Sequence, residues 1–305
     1  MTSVACIGEC MIELSATVGD NWKLGFAGDT FNAIWALRAL LDPTATTDFV
    51  TAFGDDTFSE QQISFMREAG IGTASSPILP GARPGLYAIT LTGAERSFTY
   101  WRSHSAARRL ADNPDDLGKS LRNRSMIYFS GITLAVLDEQ NRRTLLEAIA
   151  TARLSGSRIA FDPNYRQRLW PDRFTARNAI GEALAVTDVA LPTFPDERDL
   201  FDDNSQEATI ERFAQVGIPE IIVKNGAEPC LLSHYGETTS IDAISVSAVD
   251  TTGAGDAFNG AYLAARLHGL DPAVSARRAH RVAARVVQTY GALAPFEALR
   301  TAFES

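Results

Sequence analysis

The chain has 305 residues, 45% of them hydrophobic, and a formal net charge of −9, which is apolar content enough for one large α/β domain. The acidic balance, without any Lys/Arg-rich run, excludes a nucleic-acid partner, because phosphate neutralisation needs concentrated positive charge. No apolar stretch approaches a membrane span, and Met1–Leu14 lacks the basic and apolar regions of a signal peptide. A cytoplasmic protein without membrane partners is expected.

In chain order, short apolar runs predict buried strands at Val4–Gly8, Phe49–Phe53, Met126–Ser130, Arg158–Asp162, Val186–Leu191 and Glu220–Lys224. Helical periodicity fills several intervals, as in Asp138–Leu154 and Gln206–Val216. This alternation predicts a largely parallel sheet covered by helices. Two regions break the rhythm. Glu13–Ala27 and Arg83–Trp101 read as shorter strands joined by turns, the second a hairpin about Thr92-Gly93-Ala94. Together they predict a β-lid, drawn from about 11–28 and 82–102, inside a single domain spanning 1–305. Toward the end of the chain, Phe258, Ala261, Tyr262 and Ala265, then Ala279, Val282, Ala283 and Val286, keep helical spacing. They predict two packed helices broken near Gly269–Pro272. Cys6, Cys10 and Cys230 have no CxxC spacing, which argues against disulfides and zinc.

The segment Val249–Phe258, VDTTGAGDAF, carries the chemistry. Small residues at 253–255 let the backbone turn tightly and approach a ligand. A helix starting there adds free amides and the positive dipole end, which suit phosphate oxygens. Asp256 in the same turn is placed to accept a proton from an attacking hydroxyl. Read alone, the segment is equally a tight loop followed by a first-turn carboxylate. Two decoys fail. Gly118-Lys119-Ser120 lacks the first glycine of a P-loop, that position being Asn113, and Gly25–Gly28 lacks the dinucleotide spacing.

DTTGAGDAF matches the signature of the ribokinase-like carbohydrate kinase family. IGECMIEL, GFAGDTFNAIWALRAL, RPGLYAI, FTYWR, SGITLA, FDPNYRQRLW and VKNGA follow in family order. Those blocks are most similar to the branch that phosphorylates 2-keto-3-deoxygluconate. The resemblance implies a three-layer α/β sandwich with a mostly parallel central sheet and a small β-sheet lid. It implies Asp256 as catalytic base, with Gly253, Ala254 and Gly255 as the anion hole. The acceptor site would comprise Gly28, Asp29, Asn32, Tyr87, Tyr100, Arg102, Ile132 and Arg166, the arginines binding the sugar-acid carboxylate bidentately. Without the resemblance, Asp29 reads as a helix N-cap, Tyr87 and Tyr100 as cross-strand packing, and the arginines as surface ion pairs.

ATP is expected against Asn164, Lys224, Gly226, Thr252, the 253–255 loop and Ala283. Mg2+ is expected to be held chiefly by phosphate and water, with Asn164 and Glu197 nearby. The family's Asn-x-x-Glu motif departs here, with Phe194 in the asparagine position. Asp250 and Thr252 mark a potential monovalent-cation site, as in some relatives. A lid exposing Phe26, Tyr87, Ile89 and Phe98 would suit a homo-oligomer. The alternatives are a kinase for a neutral sugar such as fructose or ribose, and a catalytically silent sugar-acid-binding protein. A dehydrogenase lacks its glycine fingerprint.

Overall fold

The computed structural model describes residues 2–17, 21–92 and 95–305. The first half of the chain contains β1 (Ser3–Ile7), β2 (Met11–Ala16), β3 (Trp22–Ala27), α1 (Asp29–Leu40), β4 (Thr46–Val50), α2 (Thr57–Glu68), β5 (Leu86–Thr92), β6 (Glu95–Trp101) and α3 (Pro114–Ser120). There follow β7 (Met126–Ser130), α4 (Gly131–Val136), α5 (Glu139–Leu154), β8 (Arg158–Asp162), α6 (Arg173–Leu184), β9 (Val189–Ala190), α7 (Phe194–Phe201) and α8 (Gln206–Gln215). The chain ends with β10 (Glu220–Asn225), β11 (Glu228–His234), β12 (Glu237–Ile241), α9 (Ala254–Leu267), α10 (Pro272–Val286) and α11 (Phe296–Glu304).

Among the described residues the main sheet has eight strands, in the order β12-β11-β10-β9-β8-β7-β1-β4. Strand period decides which helical layer each side chain enters. In β1, Val4 and Cys6 pack into the core shared with α1, α9 and α10, while Ala5 and Ile7 pack into the core shared with α5 and α6. Met126 and Tyr128 against Ile127 and Phe129 repeat the division in β7. Strands buried on both faces read as continuous apolar runs, which is why these were legible. The three cysteines are buried and free.

The strand boundaries moved where pairing and apolarity part company. The run at Phe49–Phe53 begins earlier, as β4, because Thr46 and Thr47 pair with Ser3 and Val4 despite being polar. Of Val186–Leu191, Val189–Ala190 forms strand. β11 and β12 make an antiparallel edge that the apolar runs did not announce. Their two-residue turn is Tyr235-Gly236, with φ of 49° and 87°, the left-handed pair a tight hairpin requires.

The lid is a four-stranded sheet, β3-β2-β5-β6. β2 and β5 run parallel, with Ile12 opposite Leu86, and hairpin partners flank them. Gly93 and Ala94 of the expected hairpin turn lie outside the described residues. The expectation that Phe26, Tyr87, Ile89 and Phe98 form one exposed face is corrected. Phe26 points to the main core, and Tyr87 and Ile89, on the opposite face, are buried with Met11 and Ala27. Among the described residues, the exposed large apolar side chains on lid strands are instead Trp22, Leu24 and Trp101.

α1 and α9 cross at close range because Gly260 lacks a side chain. A Cβ there would lie 2.3 Å from the Ala33 carbonyl oxygen and 2.8 Å from the Ala36 Cβ. One turn earlier on α9 is Asp256, and next to Ala33 is Asn32. Gly260→Ala is therefore expected to cost about 1–3 kcal/mol through overpacking and to lower turnover by separating Asn32 from Asp256. Denaturant melts and initial rates on one preparation check both, and a variant with wild-type stability and rate would refute this account.

Candidate active site

The N-terminus of α9 forms as the sequence dictates. Its N-cap, Gly253, has φ 75°, and a Cβ there would lie 2.6 Å from the Ala292 Cβ. The first-turn amides have no intrahelical acceptor, and of them Ala254 N–H donates to the Thr251 carbonyl at 3.3 Å. Behind them, a Cβ on Gly255 would come 3.8 Å from Lys224 Nζ. Asp256 Oδ2 accepts from Asn32 Nδ2 at 2.8 Å. Burial, and next the neighbouring Asp29 charge, push the Asp256 carboxyl up to about 7, against the opposing pull of the Asn32 bond.

α1 supplies the other wall. Gly28 is its N-cap, and Asp29 is the first helical residue rather than the cap. Asp29 Oδ2 accepts from Asn164 Nδ2 at 2.9 Å, and burial raises its pKa too. Asn164 sits in the left-handed region, φ 36°, while its amide N–H reaches Asp162 Oδ1 at 3.0 Å. Ile132 is half-buried at the start of α4.

Beneath Asp256 lies a buried polar network. Lys224 Nζ donates to Asp162 Oδ2 at 2.7 Å and to Asn259 Oδ1 at 3.0 Å. Asn259 Nδ2 in turn reaches Asp162 Oδ2 at 2.7 Å and the Tyr128 hydroxyl at 3.0 Å. The Lys224 ammonium, expected on phosphate, is thus already engaged. Asp162, Asn259 and Tyr128 were missed by sequence reasoning. Asn259 carried a signal, being a polar residue on the apolar face formed by Phe258, Ala261 and Tyr262.

The lid closes one side. Tyr87 donates to Glu13 and stacks on Tyr100, with ring centroids 5.6 Å apart. The Arg168 guanidinium lies 4.2 Å above the Tyr100 ring. Neither candidate carboxylate-binding arginine is bare: Arg102 pairs with the buried Glu9, and Arg166 Nη1 pairs with Asp196 at 2.9 Å. Arg166 and Asp196 line a cavity of about 630 Å³ that Asp256 does not line.

The remaining expected positions are more scattered. Gly226, φ 61°, turns β10 into β11, and Ala283 is half-buried on α10. The Thr252 amide donates to Asp250 Oδ1 at 3.0 Å, while the Gly291 amide donates to Asp250 Oδ2 at 2.7 Å. Glu197 is fully buried, bonded to Arg212 at 2.8 Å, and its pKa is pushed up to about 8 by burial. That setting suits an internal pin better than a metal ligand. Among the described residues, no group of three or more His, Cys, Asp or Glu side chains is arranged to hold a metal ion, and no helix is long and apolar enough to cross a membrane.

The eight-stranded sheet between two helical layers and the four-stranded lid are the three-layer α/β fold with a β-lid that the resemblance implied. The chain belongs to the pfkB family of carbohydrate kinases, whose model matches residues 1–299. It is 38% identical over 305 residues to a 2-dehydro-3-deoxygluconokinase of Dickeya dadantii, covering 97% of this chain and 98% of that one. A Haemophilus influenzae protein of the same name is 35% identical over 303 residues, covering 96% of each. In three dimensions the chain resembles a ribokinase II of Escherichia coli solved with ATP and Mg2+ (TM-score 0.87, 23% identity, 100% and 99% of the two chains).

The raised Asp256 pKa has a stability consequence. Between its unfolded value near 3.8 and about 7 the folded chain holds a proton that the unfolded chain releases. The contribution is therefore full at low pH and lost as pH rises through 7. Asp256→Asn, which retains an acceptor for Asn32, is expected to melt higher than wild type at about pH 8, with the gap shrinking toward about pH 5. A pH-independent gap would sink the assignment of Asp256 as a carboxylate whose pKa the fold raises.

Proposed function

We propose that this kinase transfers the γ-phosphoryl group of ATP to the 6-hydroxyl of 2-keto-3-deoxy-D-gluconate, giving 2-keto-3-deoxy-6-phosphogluconate. The observation that carries the chemistry is Asp256, a half-buried carboxylate poised near 7 in the first turn of a helix. A base needs a pKa near working pH to take a hydroxyl proton efficiently. The amides of Gly253, Ala254 and Gly255 face the charge that develops on the transferring group. Magnesium accompanying the nucleotide neutralises its phosphates. With Glu197 turned onto Arg212, phosphate oxygens and water are its expected ligands.

The substrate choice is supported by the two similar proteins named 2-dehydro-3-deoxygluconokinase, matched end to end. Arg102 and Arg166 supply the guanidinium chemistry a sugar-acid carboxylate needs. Closure of the lid over the acceptor would exclude water and limit ATP hydrolysis. One observation favours a second reading, a neutral acceptor such as fructose or ribose: both arginines already hold carboxylate partners.

The test is ADP release with ATP and Mg2+ on 2-keto-3-deoxygluconate, fructose, ribose and gluconate. Selective turnover of the keto-deoxy acid is expected, with Asp256→Asn lowering kcat about 10²–10⁴-fold and Arg102→Ala raising the acceptor KM. Preferred turnover of a neutral sugar would overturn the substrate, and near-normal turnover by Asp256→Asn would overturn the base. Because the base must be ionised, kcat is expected to fall as pH drops below about 7, and a flat profile there would count against Asp256.

A further inference from the structure

The chain enters the lid twice, ahead of β2 and β5, and leaves it twice, after β3 and β6. Glu9, in the link between β1 and β2, meets all of these crossings. A Cβ on Gly28, at the exit from β3, would lie 2.1 Å from the Glu9 main-chain oxygen. A Cβ on Gly85, at the entry to β5, would lie 2.6 Å from Glu9 Oε1. At the exit from β6, Arg102 Nη2 donates to Glu9 Oε2. Gly28 makes room for the residue-9 carbonyl and Gly85 for the Glu9 carboxylate, whose charge the arginine answers.

Glu9 is 3% exposed, and a carboxylate so buried persists only with a partner. Yet Glu9 Oε1 and Arg102 Nε, both buried, have no hydrogen-bond partner among the described residues. An unmatched acceptor and an unmatched donor on one ion pair are groups that a bound polar molecule completes. Three of the pair's features thus converge: it is buried, it ties the roots of the lid together, and it keeps hydrogen-bonding capacity in reserve.

We propose that Glu9 is the positioning residue of the acceptor site, fixing Arg102 and the lid roots so that the guanidinium meets a hydroxyl- and carboxylate-bearing acceptor already aimed. The proposal rests on the carbohydrate-kinase reading. Removing the charge at position 9 would leave Arg102 free to swing, and the lid strands would lose the group that joins their ends.

The test uses the full chain and two readouts. Initial rates are measured for wild type, Glu9→Gln, Arg102→Ala and the double variant, with 2-keto-3-deoxygluconate, or with fructose if wild type turns over that sugar alone. Glu9→Gln is expected to raise the acceptor KM about tenfold or more, leave the ATP KM unchanged, and add little in the Arg102→Ala background. Hydrogen exchange without ligands is expected to quicken in β2, β5 and β6 and to stay unchanged in β7 and β8. Additive KM effects, an equal rise in the ATP KM, or unchanged lid exchange would each overturn the proposal. Failure of wild type on the keto-deoxy acid would instead overturn the substrate reading, while exchange and the fructose KM still judge Glu9. Should Glu9→Gln not fold, Glu9→Asp, which keeps the charge and shortens the reach, takes its place with the same outcomes.

Discussion

Crowding carboxylates into one poorly solvated site is the constraint on which this structure turns. Asp29, Asp162 and Asp256 arrive from α1, β8 and α9, in surroundings where isolated charge is costly. Asp162 is answered by an ammonium, that of Lys224. Asp29 and Asp256 are answered by neutral amides from Asn164 and Asn32, which hold them in place without cancelling their charge. Both therefore bind protons more tightly than ordinary aspartates. On the proposed role of Asp256, the fold gives up stability at neutral pH to keep a base ready, and the close α1–α9 crossing at Gly260 is what brings Asp256 and its amide donor together.

The far end of α9 is fixed as firmly. Glu220, fully buried at the start of β10, accepts from the Tyr262 hydroxyl at 2.7 Å, Arg266 Nε at 2.9 Å and Arg158 Nη2 at 2.6 Å. Burial pushes its carboxyl up, but the Arg266 bond, the Arg158 charge and the Tyr262 bond together outweigh that and lower its pKa. Glu220 thus joins β10, β8 and the last turns of α9. Pinned at both ends, α9 is a fixed wall of the site. In the proposed mechanism, closure over the acceptor therefore falls to the lid, whose roots gather at Glu9.

How much of this was legible in the residues depended on what kind of signal each part sends. Strands buried on both faces, such as β1 and β7, announce themselves as apolar runs. The GAGD turn announces itself because small residues and a helix start coincide. β4 was misjudged because backbone pairing does not require apolar side chains, and the β11–β12 edge was missed because Tyr235-Gly236 is an uncommon spelling of a tight turn. At the site, Asp29, Asn32 and Asp256 do converge as their motifs implied. Partners such as Asp196 for Arg166 and Glu9 for Arg102 were invisible, since ion pairs between distant segments leave no local pattern. Lys224 was expected on phosphate, and Asp162 and Asn259, which engage its ammonium from distant segments, left no local pattern either.

The split ancestry of the lid carries a consequence for how the chain assembles. Its two hairpins are separated by α1, β4 and α2, and they meet through the parallel pairing of Ile12 with Leu86. Such remote pairing bears a large loop-closure entropy and forms slowly. On this hypothesis the first hairpin waits, one edge unpaired, until the β1–β4 part of the main sheet has docked α1 and brought the second hairpin within reach. An intermediate would then hold a formed nucleotide-side core with no acceptor chamber. Refolding followed in parallel by a main-sheet signal and by Trp22 or Trp101 fluorescence would separate the two events, and coincident traces would show that they are one.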